Sequence, residues 1–336
     1  MKRCAGCIAL LLSFLLSGCG GGWQSALDPK GPGASELAWL IWSFTGLLGA
    51  IWLAVLAAVG LTVLRRRADT LLPPPTSAPR EQRSVVIVTA LAVLTVLVVL
   101  VLTGLSFVVQ RRLYAASEGA VTIRAVGYQW WWEFNYGTDG TPESFTTANE
   151  IHVPLGVPVR IALESDDVIH SFWVPNLIGK QDLIPSQTNE LTFTATQAGI
   201  YRGQCAEFCG LQHAHMGLIV VVEDEAAFQA WQEQQRRPAQ VPAEPERQKG
   251  QEVFLQQACI MCHTIRGTPA ISREGPDLTH IGSRLQLAAA TLPLTRGSLA
   301  AWIADPHGIK PGVHMPAVPL EPDQLNALAA YLEGLR

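Results

Sequence analysis

Two long stretches without a charged residue constrain this chain most. Leu37–Leu64 runs 28 residues and Ser84–Val109 runs 26 with no Asp, Glu, Lys or Arg, where roughly 20 residues suffice for a helix to cross a bilayer. Inside lipid, every backbone polar group must find a partner within its own segment, so each stretch is predicted to be a transmembrane helix. The alternative, a buried core helix, seldom stays uncharged over so many turns. Composition agrees: 49% of the 336 residues are hydrophobic and 15% charged, and the excess sits in these two blocks. Arg65, Arg66, Arg67, Arg80 and Arg83 lie in the short connection, against Arg111 and Arg112 beyond the second stretch. Positive charge is retained on the cytoplasmic side, so residues 37–110 are predicted to form a hairpin with both of its ends outside.

The N-terminus, MKRCAGCIALLLSFLLSGC, has a basic start and an apolar run of signal-peptide length. It closes on Leu16-Ser17-Gly18-Cys19, which resembles a bacterial lipobox. Residues 1–18 are therefore expected to be a cleaved signal, Cys19 a lipidated N-terminus, and 19–36 an external segment; an ordinary signal or plain anchor is the alternative. Everything after Gln110 then faces a compartment where thiols oxidise unless something protects them.

Of seven cysteines, Cys4 and Cys7 would leave with the signal and Cys19 would go to lipid. Two close pairs remain, Cys205 with Cys209 and Cys259 with Cys262, and a disulfide in each is the plain alternative to a cofactor.

Cys259-Ile-Met-Cys262-His263 is the Cys-x-x-Cys-His pattern of covalent haem attachment, two thiols taking the vinyl groups and the histidine one face of iron. The other axial ligand is expected downstream: Met315, in KPGVHMPAVP, gives a high-potential carrier, with His314 and His307 as rivals. Gln251–Gln257 and Asp323–Leu335 read as helices, the latter with Leu325, Leu328, Ala329 and Leu332 at helical spacing. From Arg247 to Arg336 the chain resembles a class I cytochrome c, an all-α domain. That resemblance implies that Gly275–Leu278, Gly-Pro-Asp-Leu, packs around the haem and that Arg284 faces a propionate.

Between membrane and haem motif the pattern is β. Ile151–Ser165, Asn189–Tyr201 and Gly217–Glu223 are rich in β-branched and apolar residues, punctuated by Gly, Pro and Asn, as in a sandwich or barrel. Between two of these strands lies YRGQCAEFCGLQHAHMG, Tyr201–Gly217. Thiolate, imidazole and thioether together suit copper better than zinc or calcium, and two cysteines at i and i+4 exceed what one blue-copper ion takes, whereas two thiolates can bridge two coppers. The loop resembles the CuA site of subunit II of haem-copper oxidases, Cys-x-Glu-x-Cys-x-x-x-His-x-x-Met, with Cys205, Glu207, Cys209, His213 and Met216 in its places. The upstream histidine matches His170 in DDVIHSFWVP. The resemblance implies a cupredoxin-like domain in which Cys205 and Cys209 bridge, His170 and His213 cap one copper each, Met216 is a weak ligand and Glu207 gives its carbonyl. The Glu207 side chain would reach a magnesium shared with subunit I, and His215 is a spare, solvated histidine.

GYQWWWEFNY, Gly127–Tyr136, extends the likeness, with Trp130 at the position where electrons enter; for Trp131 and Trp132 an aromatic belt at the membrane surface is an equal alternative. The whole chain resembles subunit II of a caa-type cytochrome c oxidase. This implies a cupredoxin-like CuA domain over 111–235, closed by an amphipathic helix over Asp224–Arg237, a proline-rich linker over 236–247 and a cytochrome c domain over 248–336. Two departures stand out: the second helix opens on Glu81 without the usual tryptophan, and Ile184-Pro185-Ser186-Gln187 replaces an Ile-Pro-Gly-Arg pattern. The implied role is to take electrons from a soluble or membrane-bound cytochrome c or a bc-type complex at haem c and pass them through CuA to subunit I, for oxygen reduction coupled to proton translocation. Subunits I and III and the lipid bilayer of the bacterial cytoplasmic membrane are the expected partners, with both termini periplasmic and no nucleic acid. A nitric oxide reductase subunit and a free-standing membrane-anchored carrier are the alternatives. The chain has no oxygen-reducing site of its own.

Overall fold

A computed structural model describes residues 22–65, 78–113, 121–138 and 140–336. Cys4, Cys7, Cys19, Arg66 and Arg67 lie outside the described residues. Two helices, α1 (Pro32–Arg65) and α2 (Ala78–Leu113), carry the apolar stretches. Each is longer than its charge-free block, because the flanking residues continue the helix: proline in the first turn suits α1, its missing N–H being one that no helix start can satisfy internally. Their most apolar windows have mean hydropathy 2.5 and 3.3 and are not covered by the protein. A side chain such as Val101 or Trp52 is 62% exposed, and rows of such residues need lipid as solvent. The unit Glu36–Ala115 holds most of both helices; the remainder of the chain forms a second unit.

In the second unit, ten strands make two five-stranded sheets. In chain order they are β1 (Val121–Tyr128), β2 (Trp131–Tyr136), β3 (Phe145–Ala148), β4 (Glu150–Pro154), β5 (Pro158–Ser165), β6 (His170–Trp173), β7 (Gln181–Leu183), β8 (Asn189–Thr194), β9 (Gly199–Cys205) and β10 (Gly217–Glu223). One sheet runs β3-β2-β1-β5-β8 and the other β4-β10-β9-β6-β7, with β1–β5 and β4–β10 parallel and the other pairs antiparallel. Alternation sets which face is buried. Ile161 opposes Ile123 and Leu191, Leu163 opposes Ala125, and all five are buried. The run Ile151–Ser165 is not one strand: Gly156 adopts φ +75°, and the chain turns there from β4 to β5. The N-terminal segment is strapped onto this sandwich. Lys30 N donates to Asn176 O, Thr196 N to Lys30 O and Arg202 N to Trp23 O.

Helix α3 (Glu225–Arg236) closes the sandwich, its first turn capped by the Asp224 carboxylate accepting from Ala227 N at 2.9 Å. The haem-motif region holds α4 (Pro245–Gln256), a two-residue ladder β11 (Gln286–Leu287) with β12 (Leu292–Pro293), α5 (Arg296–Ala304), the single turn α6 (Pro306–Ile309) and α7 (Pro322–Glu333). The helix expected at Gln251 begins at Pro245 instead, inside the proline-rich stretch, for the same reason as α1. Helices α4 and α7 cross so closely that a Cβ on Gly250 would meet Ala327 O at 2.0 Å. Only glycine permits that approach. The contact buries Val253, Phe254, Leu328, Tyr331 and Leu332 in the core of the helical region.

Candidate metal centres

The sulfur cluster sits where β6, β9 and the β9–β10 loop meet. Cys205 closes β9 and His170 opens β6, and the pairing of Phe172 with Cys205 fixes their separation. The loop returns through a short 3₁₀ turn, His213–His215, into β10, bringing Cys209, His213 and Met216 back over Cys205. Cys205 Sγ lies 3.8 Å from Cys209 Sγ and 3.9 Å from His170 Nδ1. Cys209 Sγ lies 3.7 Å from His213 Nδ1 and 3.8 Å from Met216 Sδ, and the Glu207 carbonyl oxygen is 3.2 Å from Cys205 Sγ. A disulfide needs about 2.05 Å. A metal ion bonded to both sulfurs at about 2.3 Å subtends close to a tetrahedral angle across the observed gap. The donor set therefore fits bridging thiolates with imidazole, thioether and carbonyl completing the coordination.

Electrostatics favour the same use. The Cys205 thiol is pulled down to about 3 by the hydrogen bond from Cys209 and by His170, against the opposing effect of burial, so one proton of the pair is readily lost; the other stays on Cys209, whose value is pushed up by its charged neighbour. His170 is fully buried. Its Nε2 meets Asp167 Oδ1 at 2.8 Å, which turns Nδ1 toward the sulfurs. Burial alone would raise the Asp167 carboxyl, but hydrogen bonds from His170, Val168 N and Gln129 N hold it below its usual range. Gly127 leaves room for that imidazole, since a Cβ there would sit 2.8 Å from His170 Cδ2.

The aromatic run divides by strand alternation. Trp132 is buried in the sandwich against His170 and Phe172, with Nε1 donating to Met216 O at 3.4 Å, so it is a core residue and not part of a membrane belt. Trp131, pointing the other way, stacks on Tyr128. Trp130 precedes the strand and donates from Nε1 to Cys209 O at 2.9 Å, beside Gln129 Nε2 at 2.7 Å. The Glu207 carboxylate pairs with Lys180 Nζ at 3.4 Å, and His215 is exposed.

The haem motif opens onto a cavity of about 440 Å³ lined by Cys259, Cys262, His263, Arg284 and Met315. His263 is held by Nδ1 against the Pro276 carbonyl at 2.8 Å, leaving Nε2 free for a metal, and burial keeps its imidazole neutral. Pro276 belongs to the Gly-Pro-Asp-Leu segment, and Arg284 is buried with Nη2 donating to Asp277 O. Met315 and His314 both line the cavity; Met315 packs against the core of the helical region, whereas His314 tilts against Trp130 at 5.4 Å, and His307 is not among the lining residues. Trp130 and Trp131 form part of the wall, so the sandwich itself closes the cavity.

Every site residue expected from sequence and covered by the described residues falls into one of these two clusters or onto the wall between them. Two residues behind the sulfur cluster are not exposed by spacing: Asp167 has a faint signal, a carboxylate three residues before His170, and Gln129 reaches Cys209 O through a contact distant in sequence.

Fold and site define a membrane-inserted electron-transfer protein with a thiolate–imidazole centre in a β-sandwich and a covalent haem motif in a helical region. Comparison with known proteins narrows this. The family described as cytochrome C oxidase subunit II, periplasmic domain, matches residues 138–223, and cytochrome c matches 247–336. Cytochrome c oxidase subunit 2 of Alkalihalophilus pseudofirmus is 33% identical over 344 residues, covering 97% of this chain and 96% of its own. That of Bacillus sp. strain PS3 is 28% identical over 345 residues, covering 97% and 95%. The chain belongs to the cytochrome c oxidase subunit II family, in the form that carries a cytochrome c region behind the copper domain.

Proposed function

We propose that this chain is the electron-accepting subunit of a respiratory terminal oxidase, receiving electrons at haem c and delivering them through a copper pair to subunit I. The observation that carries the reading is Trp130, whose indole lines the haem cavity and hydrogen-bonds the carbonyl of Cys209. When bound, haem c and the copper pair supply one-electron carriers, and the protein holds them. Cys259 and Cys262 would anchor the haem, and His263 and Met315 would hold its iron. Cys205, Cys209, His170, His213, Met216 and the Glu207 carbonyl would hold the coppers. Asp167 holds the His170 tautomer, Pro276 the His263 tautomer, and Trp132 and Phe172 exclude water around His170.

The domain plan proposed with this reading is a signal over 1–18, lipid on Cys19, an external segment over 19–36, a hairpin over 37–110, a copper domain over 111–235, a linker over 236–247 and a cytochrome region over 248–336, with both termini periplasmic. The Glu207 carboxylate is 44% exposed beside Lys180, which supports a second role as a magnesium ligand at the contact with subunit I. Subunit III and a cytochrome c or bc-type donor complete the assembly, and oxygen reduction in subunit I is coupled to proton translocation.

The test uses the purified complex with a reduced cytochrome as donor. The expected result is oxygen consumption that falls at least a hundredfold in His263→Ala while the copper spectrum is retained. Unchanged turnover in that variant overturns the reading.

A further inference from the structure

Lys310 is a buried charged side chain of the cytochrome region, 2% exposed. Its Nζ donates to Trp130 O at 3.1 Å, across to the copper domain, and to Ala288 O at 3.4 Å within its own region. Among the described residues, no carboxylate stands within ion-pair distance of it. An ammonium group held only by main-chain carbonyls is costly to bury, and burial pushes it down to about 8. The partner segment is also strained. Ala288, Ala289 and Ala290 take left-handed φ of 53°, 56° and 57°, a conformation that costs roughly 1–2 kcal/mol per residue for a side chain with Cβ. That bend presents successive carbonyls to the interface: Ala288 O to Lys310, and Ala289 O to Gly217 N of the copper loop at 3.0 Å. Leu285 N donates to the buried Glu150 carboxylate at 2.9 Å and Gln212 Nε2 to Pro311 O at 2.7 Å, so the same surface is pinned around its rim.

We propose that Lys310 is a latch between the two redox regions: by donating to the Trp130 carbonyl it holds the indole between the haem cavity and Cys209, making it a positioning residue for electron transfer within the chain. The inference rests on the oxidase reading for the electron-transfer role, while the latch itself is a statement about docking. The step is a single electron leaving the reduced haem iron, which is oxidised, and reducing the copper pair; no proton or bond is exchanged at Lys310. Removing the latch leaves both metal sites intact and lets the gap between them vary.

The test compares wild type with Lys310→Met, which keeps length and apolar stem, in the purified complex. Hydrogen exchange is read at the amides of Gly217 and Leu285, and electron equilibration between haem and copper is followed after photoreduction. The latch predicts at least tenfold faster exchange at both amides and at least tenfold slower equilibration, with both metal spectra and the KM for the external donor unchanged. Lys310→Arg, which keeps a cationic donor, recovers part of the rate. Wild-type exchange rates, or a wild-type equilibration rate, in Lys310→Met overturn the latch. Should Lys310→Met fail to take up haem, amine acylation of the wild-type complex decides: Lys310 is protected while the half-exposed Lys180 is modified, and equal modification overturns the proposal. If wild type shows no equilibration, the oxidase reading fails and the exchange data alone judge the docking.

Discussion

Replacing Asp167 with asparagine isolates one contribution to the copper site. The carboxylate meets the fully buried His170 at 2.8 Å and also accepts from Gln129 N at 2.6 Å and Val168 N at 2.6 Å. Asparagine has nearly the same shape, and its single carbonyl oxygen can still accept from His170 and Val168 N, while the amide that replaces the other oxygen cannot accept from Gln129 N, so the change removes the charge and that one bond and leaves the packing around His170. A hydrogen bond to a charged group contributes about 1.5–3 kcal/mol and a neutral one about 1 kcal/mol, a loss of roughly 0.5–2 kcal/mol. Loss of a partner behind a metal-ligating histidine costs about 10–100-fold in affinity. The two ranges overlap near tenfold, or about 1.4 kcal/mol. The assay is copper retention by the purified complex against a graded competing chelator, with Asp166→Asn as control, since Asp166 reaches this region through its backbone N–H to Gly127 O. Asp167→Asn is expected to lose copper at tenfold lower chelator while Asp166→Asn tracks wild type. Equal retention by the two variants would refute the orienting role.

Three further outcomes are expected. Gly275→Ala places a Cβ 2.9 Å from His263 Cε1; the imidazole must turn off Pro276, so the haem stays covalently attached while its six-coordinate optical spectrum is partly lost. Met315→Leu conserves volume, costs less than about 1.5 kcal/mol in stability and abolishes the sixth ligand, whereas His314→Leu leaves the haem spectrum unchanged; the reverse pattern would transfer the axial role to His314. Lys310 gives a signed pH effect. Its folded value of about 8 lies below the ordinary 10.5, so between those values the unfolded chain binds more protons and stability rises with pH, by up to roughly 3 kcal/mol. Thermal unfolding of wild type minus Lys310→Met between pH 7 and 10 should show that rise, and a flat difference would count against it.

How much was readable in advance followed the range of the contacts. Cys205, Cys209, His213 and Met216 share one loop, and Cys259, Cys262 and His263 one turn, so spacing alone exposes them. His170 comes from another strand and needed the family pattern. Trp130, Trp131 and Trp132 look alike in sequence and separate only once the strand start is known, because alternation sends neighbours to opposite faces. The start of α4 at Pro245 was hidden because proline marks a linker by composition and a helix start by conformation. Lys310, Ala288–Ala290 and Glu150 join the two redox regions through contacts between distant segments, and nothing local to any of them signals the other.

The central claim is that Cys205 and Cys209 hold a copper pair fed by the haem on Cys259 and Cys262. Paramagnetic resonance of the partly reduced complex, with copper counted per haem, tests it most directly. Two coppers per haem and one unpaired electron shared equally between two copper nuclei are expected, a signal lost in Cys209→Ser. A single-copper signal, or a copper-free protein with a Cys205–Cys209 disulfide, would contradict it.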